Sequence, residues 1–107
     1  MVRREDRLNA HFKKLVAEFV NQHANAKISL VTITDFIIDG DFQTATAYIS
    51  VFPDSETERV FELLKRRTRD LWQYLKNNSR MQTIPSVTFK IDRGEKNRQR
   101  IEHLIGR

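Results

Sequence analysis

No cysteine occurs anywhere in the 107 residues. Its absence excludes disulfides, thiol nucleophiles and thiolate metal sites, and fits a reducing compartment. Two prolines and three glycines leave little room for long loops, and no glycine-rich phosphate loop of the nucleotide-binding type is present. No apolar run approaches the ~18 residues that a membrane span needs. The basic start, Met1-Val2-Arg3-Arg4-Glu5-Asp6-Arg7, has no apolar stretch behind it, so it does not read as a secretion signal. His11, His23 and His103 are scattered, and none stands at metal-ligand spacing with another histidine. Low-complexity tracts and internal repeats are also lacking. Together these absences predict a soluble, cytoplasmic, non-enzymatic protein with neither metal nor cofactor, and the chain is expected to be a monomer.

What is present is charge. Lys and Arg total 19 against 14 for Asp and Glu, a formal net charge of +5. Such an excess suits a polyanionic partner, nucleic acid above all. The alternative is a basic but inert surface. At 107 residues the chain suits one compact domain spanning 1–107 and is too short for two ordinary ones.

Apolar periodicity divides the chain. Leu8, Phe12, Leu15, Val16 and Phe19 recur at helical spacing and predict a helix over 4–22, with Arg4, Arg7, Lys13 and Lys14 off the stripe. β-branched and aromatic residues predict strands over 29–39 and 42–52. Asp39-Gly40 between them is a hairpin signal, because glycine tolerates the positive φ of a tight turn. The alternation changes phase between Ile33 and Phe36, which predicts a bulge or an end twisting out of the sheet. Ala45 and Ala47 share one face and predict a helix lying close on the sheet. Ser55 with Glu58 reads as a capping box that starts a helix near Glu56. Val60, Phe61, Leu64, Leu71, Trp72 and Leu75 carry the helical stripe to Lys76, unbroken or with a break near Thr68. Trp72 and Tyr74 could stack on bases, but Trp72 continues this stripe and reads as core, whereas Tyr74 reads as exposed.

The stretch Ile84-Pro85-Ser86-Val87-Thr88-Phe89-Lys90-Ile91-Asp92 opens after a proline and alternates apolar with polar, which predicts a strand over 85–91. Asp92 with Glu95 then reads as a capping box for a last, strongly basic helix over about 93–106. The order is helix–strand–strand–helix(–helix)–strand–helix. It predicts an α+β domain, a three-stranded mixed sheet with helices on one face. The other face would carry Thr44, Thr46, Tyr48 and Ser50.

These pieces, in this order and spacing, resemble the ribosome-binding factor A family, whose members have a type II KH-like fold. The likeness runs over nearly the whole chain. It begins at Arg4 and Arg7 and continues through Val31-Thr32-Ile33-Thr34-Asp35-Phe36. Asp41-Phe42 with Ala45, Tyr48-Ile49-Ser50, the stretch 84–92, and Arg100-Ile101 complete it. By spacing from Pro85, the Ala-x-Gly kink of that family falls at Arg67-Thr68-Arg69, and a family arginine falls at Trp72. The resemblance implies binding to the immature small ribosomal subunit and its 16S rRNA. It also implies assistance in late maturation and rRNA processing, cooperation with assembly GTPases, and release before translation.

Three basic clusters are the candidate RNA contacts: Arg3, Arg4 and Arg7; Lys65, Arg66, Arg67 and Arg69; and Arg93, Lys96, Arg98 and Arg100. Arg80 stands near a further basic position of the family. Phosphate neutralisation needs cations gathered on one surface, and the alternative is that each cluster is a solvated helix face. Without the usual glycine loop, recognition of folded rRNA by shape and backbone is expected rather than single-strand clamping. Asp35, Asp39 and Asp41 cluster around the hairpin turn and could hold a hard cation, but turn formation explains them better. A second reading of the whole chain is a protein–protein module that uses the open sheet edge or the basic last helix.

Overall fold

A computed structural model describes residues 4–24 and 29–94. Arg4–His23 forms the first helix (α1). Phe12, Leu15, Val16, Phe19 and Val20 are buried along one side of it, while Arg7, Lys13 and Lys14 are exposed or partly so, the division that a 3.6-residue period dictates. Leu30–Ile38 (β1) and Thr44–Phe52 (β2) pair antiparallel, and Ser86–Ile91 (β3) runs parallel to β2. The sheet order is β1-β2-β3. Between β2 and β3 the chain passes through a 3₁₀ turn at Asp54–Glu56, then Thr57–Arg66 (α2) and Thr68–Asn78 (α3). A helical crossover of this kind is what a parallel neighbour requires.

Alternation along each strand sorts the two faces. Val31, Ile33, Phe36, Ala45, Ala47, Ile49, Val51, Val87 and Phe89 are buried against the helices. The helices contribute Val60, Leu64, Leu71 and Leu75, all fully enclosed, each stabilising the fold by about 1.5–3 kcal/mol. The opposite face is open, as expected. Thr44, Ser50, Thr88 and Lys90 are exposed there, and Thr46 and Tyr48 half-buried. Leu30 and Phe52 face each other in register and remain 59% and 73% exposed.

The bulge lies where the phase change placed it. Ile33 pairs with Ile49 but Asp35 pairs with Tyr48, so Thr34 is the extra residue, and Phe36 is thereby turned into the core. The Thr34 hydroxyl donates to Asp92 Oδ2 at 2.7 Å and ties β1 to the residue after β3.

The hairpin differs from expectation. Gly40 is not the residue with positive φ; Phe42 is, at 61°. The loop is longer than a two-residue turn. Asp39 N–H bonds the Thr44 carbonyl at 2.9 Å, and Phe42 N–H bonds the Asp39 carbonyl at 2.8 Å. A left-handed residue other than glycine costs about 1–2 kcal/mol. Burial of the Phe42 ring, packed edge-on 6.1 Å from Phe12, offsets that cost.

The capping box at Ser55 and Glu58 does not form either. Ser55 lies inside the 3₁₀ turn, and Glu56 precedes α2 without a side-chain cap bond. The Glu56 carboxylate instead accepts from Arg59 Nε at 2.6 Å. Tyr74 is half-buried rather than exposed. Its ring lies 5.6 Å from that of Phe19, and its hydroxyl donates to Glu18 Oε1 at 3.3 Å. His11 Nε2 lies 2.9 Å from Ser79 Oγ, so α1 and α3 run antiparallel along a shared seam. After β3, Arg93 and Gly94 are not helical, and Asp92 Oδ1 accepts the Gly94 N–H at 2.9 Å. The rest of the expected last helix, with its Glu95 cap, lies outside the described residues.

Candidate nucleic-acid interface

Between the enclosed Leu64 and Leu71 lie four cations in five residues, Lys65-Arg66-Arg67-Thr68-Arg69. An unbroken helix would spread them around its circumference. The chain instead breaks at Arg67, whose φ of −105° and ψ of 13° leave the helical range. No glycine is needed, because this conformation is not left-handed. Arg67 N–H still bonds the Leu64 carbonyl at 3.0 Å, and Leu71 N–H bonds the Arg67 carbonyl at 2.9 Å. The Thr68 hydroxyl donates to the Lys65 carbonyl at 3.4 Å. The two leucines hold both helices to the core, so the residues between them project outward. The break near Thr68 is thus the alternative realised, at the place where the family resemblance puts its kink.

The charges in this cluster are unequally compensated. Lys65 Nζ lies 3.4 Å from Glu62 and Arg67 Nη1 3.5 Å from Asp70. Arg66 and Arg69 hold no ion pair among the described residues. Lys65 and Arg66 also stand at the carboxyl end of α2, where the helix dipole favours cations.

Beside the junction runs a groove of about 550 Å³. Lys65, Thr68, Arg69 and Trp72 form its helical wall, and Ser86, Val87, Thr88 and Phe89 of β3 form the other. Trp72 is therefore not core, as its place on the stripe suggested, but a half-buried wall of this groove. Its position explains why. Leu71 and Leu75 point inward, and the next residue along a helix is turned by about 100°. Trp72 shares its face with Arg69 and Lys76, at three and four residues' spacing. The Lys76 ammonium lies 5.1 Å from the indole centroid. That spacing was readable in the sequence, and reading Trp72 as a continuation of the Leu stripe concealed it.

The other candidates are dispersed. Arg7 is on α1, and Arg4 is the first residue of that helix. Arg80 follows α3 and borders a separate hollow with Leu8, Phe42 and Met81. Arg93 lies beyond the far end of β3, 3.7 Å from Glu58, in a hollow shared with Asp54 and Asp92. Arg3, Lys96, Arg98 and Arg100 lie outside the described residues. The structure thus gathers the junction cluster and keeps Arg93 and Arg80 apart from it.

Among the described residues no group of His, Asp and Glu is arranged to hold a metal ion, and no helix is long and apolar enough to cross a membrane. Burial, and then the neighbouring Glu18 charge, raise the pKa of the Tyr74 phenol above its usual value.

Comparison with known proteins places this geometry in a wider set. A family model described as ribosome-binding factor A matches residues 4–105. A ribosome-binding factor A of Staphylococcus epidermidis is 27% identical over 104 residues, 95% of this chain and 90% of its own. One from Macrococcus caseolyticus is 25% identical over 95% of this chain and 91% of its own. The crystal structure of ribosome-binding factor A from Thermus thermophilus superposes with a TM-score of 0.73 at 23% identity, over 84% of this chain and 97% of that one. The fold also matches, with a TM-score of 0.63 at 22% identity, a homology model of the Thermus thermophilus factor fitted into the cryo-EM map of a 30S complex. That match covers 78% of this chain and 90% of the other.

Proposed function

Since this chain belongs to the ribosome-binding factor A family, we propose that it binds the small ribosomal subunit through 16S rRNA and assists late maturation and rRNA processing without catalysing a reaction. The observation that carries this reading is the family match over residues 4–105. A relative of the same fold has been fitted into a map of a 30S complex, which supports the choice of subunit. The α2–α3 junction supplies the contact. Arg66 and Arg69 are free to neutralise phosphate, and phosphate contacts position a protein on RNA. Lys65 and Arg67 exchange their carboxylate partners for phosphate at small cost, because exposed ion pairs contribute only about 0–1 kcal/mol. The protein acts in the cytoplasm as a monomer, with assembly GTPases as further partners.

Sedimentation of cell extract through a gradient tests this proposal. The protein is expected to travel with free, immature small subunits and to leave them as salt rises, because counterion release sets the affinity. A protein that stays at the top of the gradient contradicts it. One observation favours a second reading: among the described residues β3 is an outermost strand and could receive an extended peptide. Capture that survives nuclease and hardly changes with salt would favour that partner instead.

A further inference from the structure

We propose that the open sheet face at Leu30 and Phe52 is a docking surface for the chain's own segment 95–107, which lies outside the described residues. Leu30 and Phe52 pair in register across β1 and β2 and are largely exposed. Single exposed apolar side chains are ordinary, but two paired across neighbouring strands form one patch. Elsewhere that face carries Thr32, Thr46, Tyr48 and Ser50, so the fold itself does not require an apolar pair at its end. Beside the patch lies an acidic hollow. Ser50, which precedes Phe52 on the same face by about 7 Å, lines it with Asp54, Glu58, Asp92 and Arg93. Asp54 and Asp92 hold no ion pair among the described residues.

An acidic hollow beside an apolar pair fits a basic segment that carries a few apolar residues, and its carboxylates repel phosphate. Residues 95–107 have that composition. Lys96, Arg98 and Arg100 come first, and Ile101, Leu104 and Ile105 follow at the spacing of one helix face. The contact has an observed beginning, since Arg93 already pairs with Glu58 at 3.7 Å. Asp92 Oδ1 accepts the Gly94 N–H, and Gly94 has a φ of 91°. That conformation suits glycine and turns the chain out of the strand. The reach also fits. Ile91 is level with Ile49, and crossing two strand spacings, about 10 Å, brings the chain over β1. Gly94 to Ile101 spans about 10 Å as a helix. A basic segment of another protein has the same chemistry, but the tether gives this one a far higher effective concentration. Docked in this way, Lys96, Arg98 and Arg100 are occupied by carboxylates and withheld from rRNA, which leaves the α2–α3 junction as the cationic surface.

The chain has no cysteine, so His103→Cys takes a nitroxide label at one position of the full chain. Amide NMR of the isotope-enriched protein then reads where that label lies. Paramagnetic broadening of the Leu30, Thr32, Ser50 and Phe52 amides is expected, with Arg66 and Arg69 unaffected. Enriched, unlabelled protein mixed with labelled, unenriched protein should show none, because the contact lies within one chain. Phe52→Ser, at a position outside the core, and separately Asp54→Lys should each remove most of the broadening at Ser50. No broadening of the open face in a folded spectrum, or broadening at the α2–α3 junction instead, overturns the inference. Equal broadening in the mixed sample overturns it in favour of a second copy. Broadening that persists in full in both variants overturns it as well. None of these results bears on sedimentation with small subunits, so the proposed function stands or falls separately.

Discussion

Each end of β3 lies beside a basic stretch, and the two stretches are differently compensated. Lys65 and Arg69 line the groove with Ser86, and Arg66 adjoins Lys65 in the chain. Beside Ile91 stands Arg93, in a stretch just as basic by composition. At the first end Arg66 and Arg69 are uncompensated among the described residues. At the second, Arg93 pairs with Glu58 within a hollow that also holds Asp54 and Asp92. The ends are roughly 17 Å apart along the strand. Counting cations in a sequence therefore overstates the binding surface. Which charges are free to meet phosphate is decided by what stands next to them, and among the described residues Arg66 and Arg69 hold no ion pair whereas Arg93 pairs with Glu58.

The largest effect should come from removing the scaffold that makes the ends differ. Leu71 is fully enclosed and fixes α3 beside the break, so Leu71→Ala is expected to cost about 2–5 kcal/mol in urea unfolding. A loss under ~1 kcal/mol would mean that α3 does not hold the junction in place. Next comes Arg66→Gln with Arg69→Gln. It should lower the slope of log affinity against log salt by about 2 for rRNA and leave the unfolding midpoint unchanged. An unaltered slope would remove this end from the interface. Arg93→Gln should change rRNA affinity by no more than about twofold, its ion pair being exposed; a loss equal to that of the double variant would erase the distinction between the ends.

The smallest effect concerns the α1–α3 seam behind the groove. The Tyr74 phenol is raised above its usual 10.0, so the folded state keeps that proton after the unfolded chain has lost it. Stability from this group is fully present below pH 10 and declines as pH rises through the folded value. Urea midpoints between pH 9 and 11 should therefore fall more steeply in the wild-type protein than in Tyr74→Phe, and equal slopes would contradict the assignment.

Much of this architecture was legible because its residues obey one period at a time. The α1 stripe, the alternation in β3 and the phase slip at Thr34 all led to the elements observed. Where two demands met on one residue, sequence alone misled. Phe42 takes the left-handed position at the hairpin, although Gly40 is sterically better suited, because its ring has a place in the core. Trp72 is apolar and follows an inward leucine, yet one residue's rotation turns it to the groove. Ser55 has the chemistry of a cap, but the 3₁₀ turn places it before the helix begins. The junction cluster was visible as a run of cations. Glu62 with Lys65 and Asp70 with Arg67 stand at i,i+3 spacing and were readable as pairs, whereas Glu58 meets Arg93 only after β3 has returned alongside.

The most direct test of the central claim is a cryo-EM map of this protein on an immature small subunit. Density for rRNA is expected against the α2–α3 junction, with phosphates at Arg66 and Arg69 and the Arg93 hollow facing solvent. A map in which the open sheet face or the Arg93 end meets the rRNA, and the junction is bare, would contradict it.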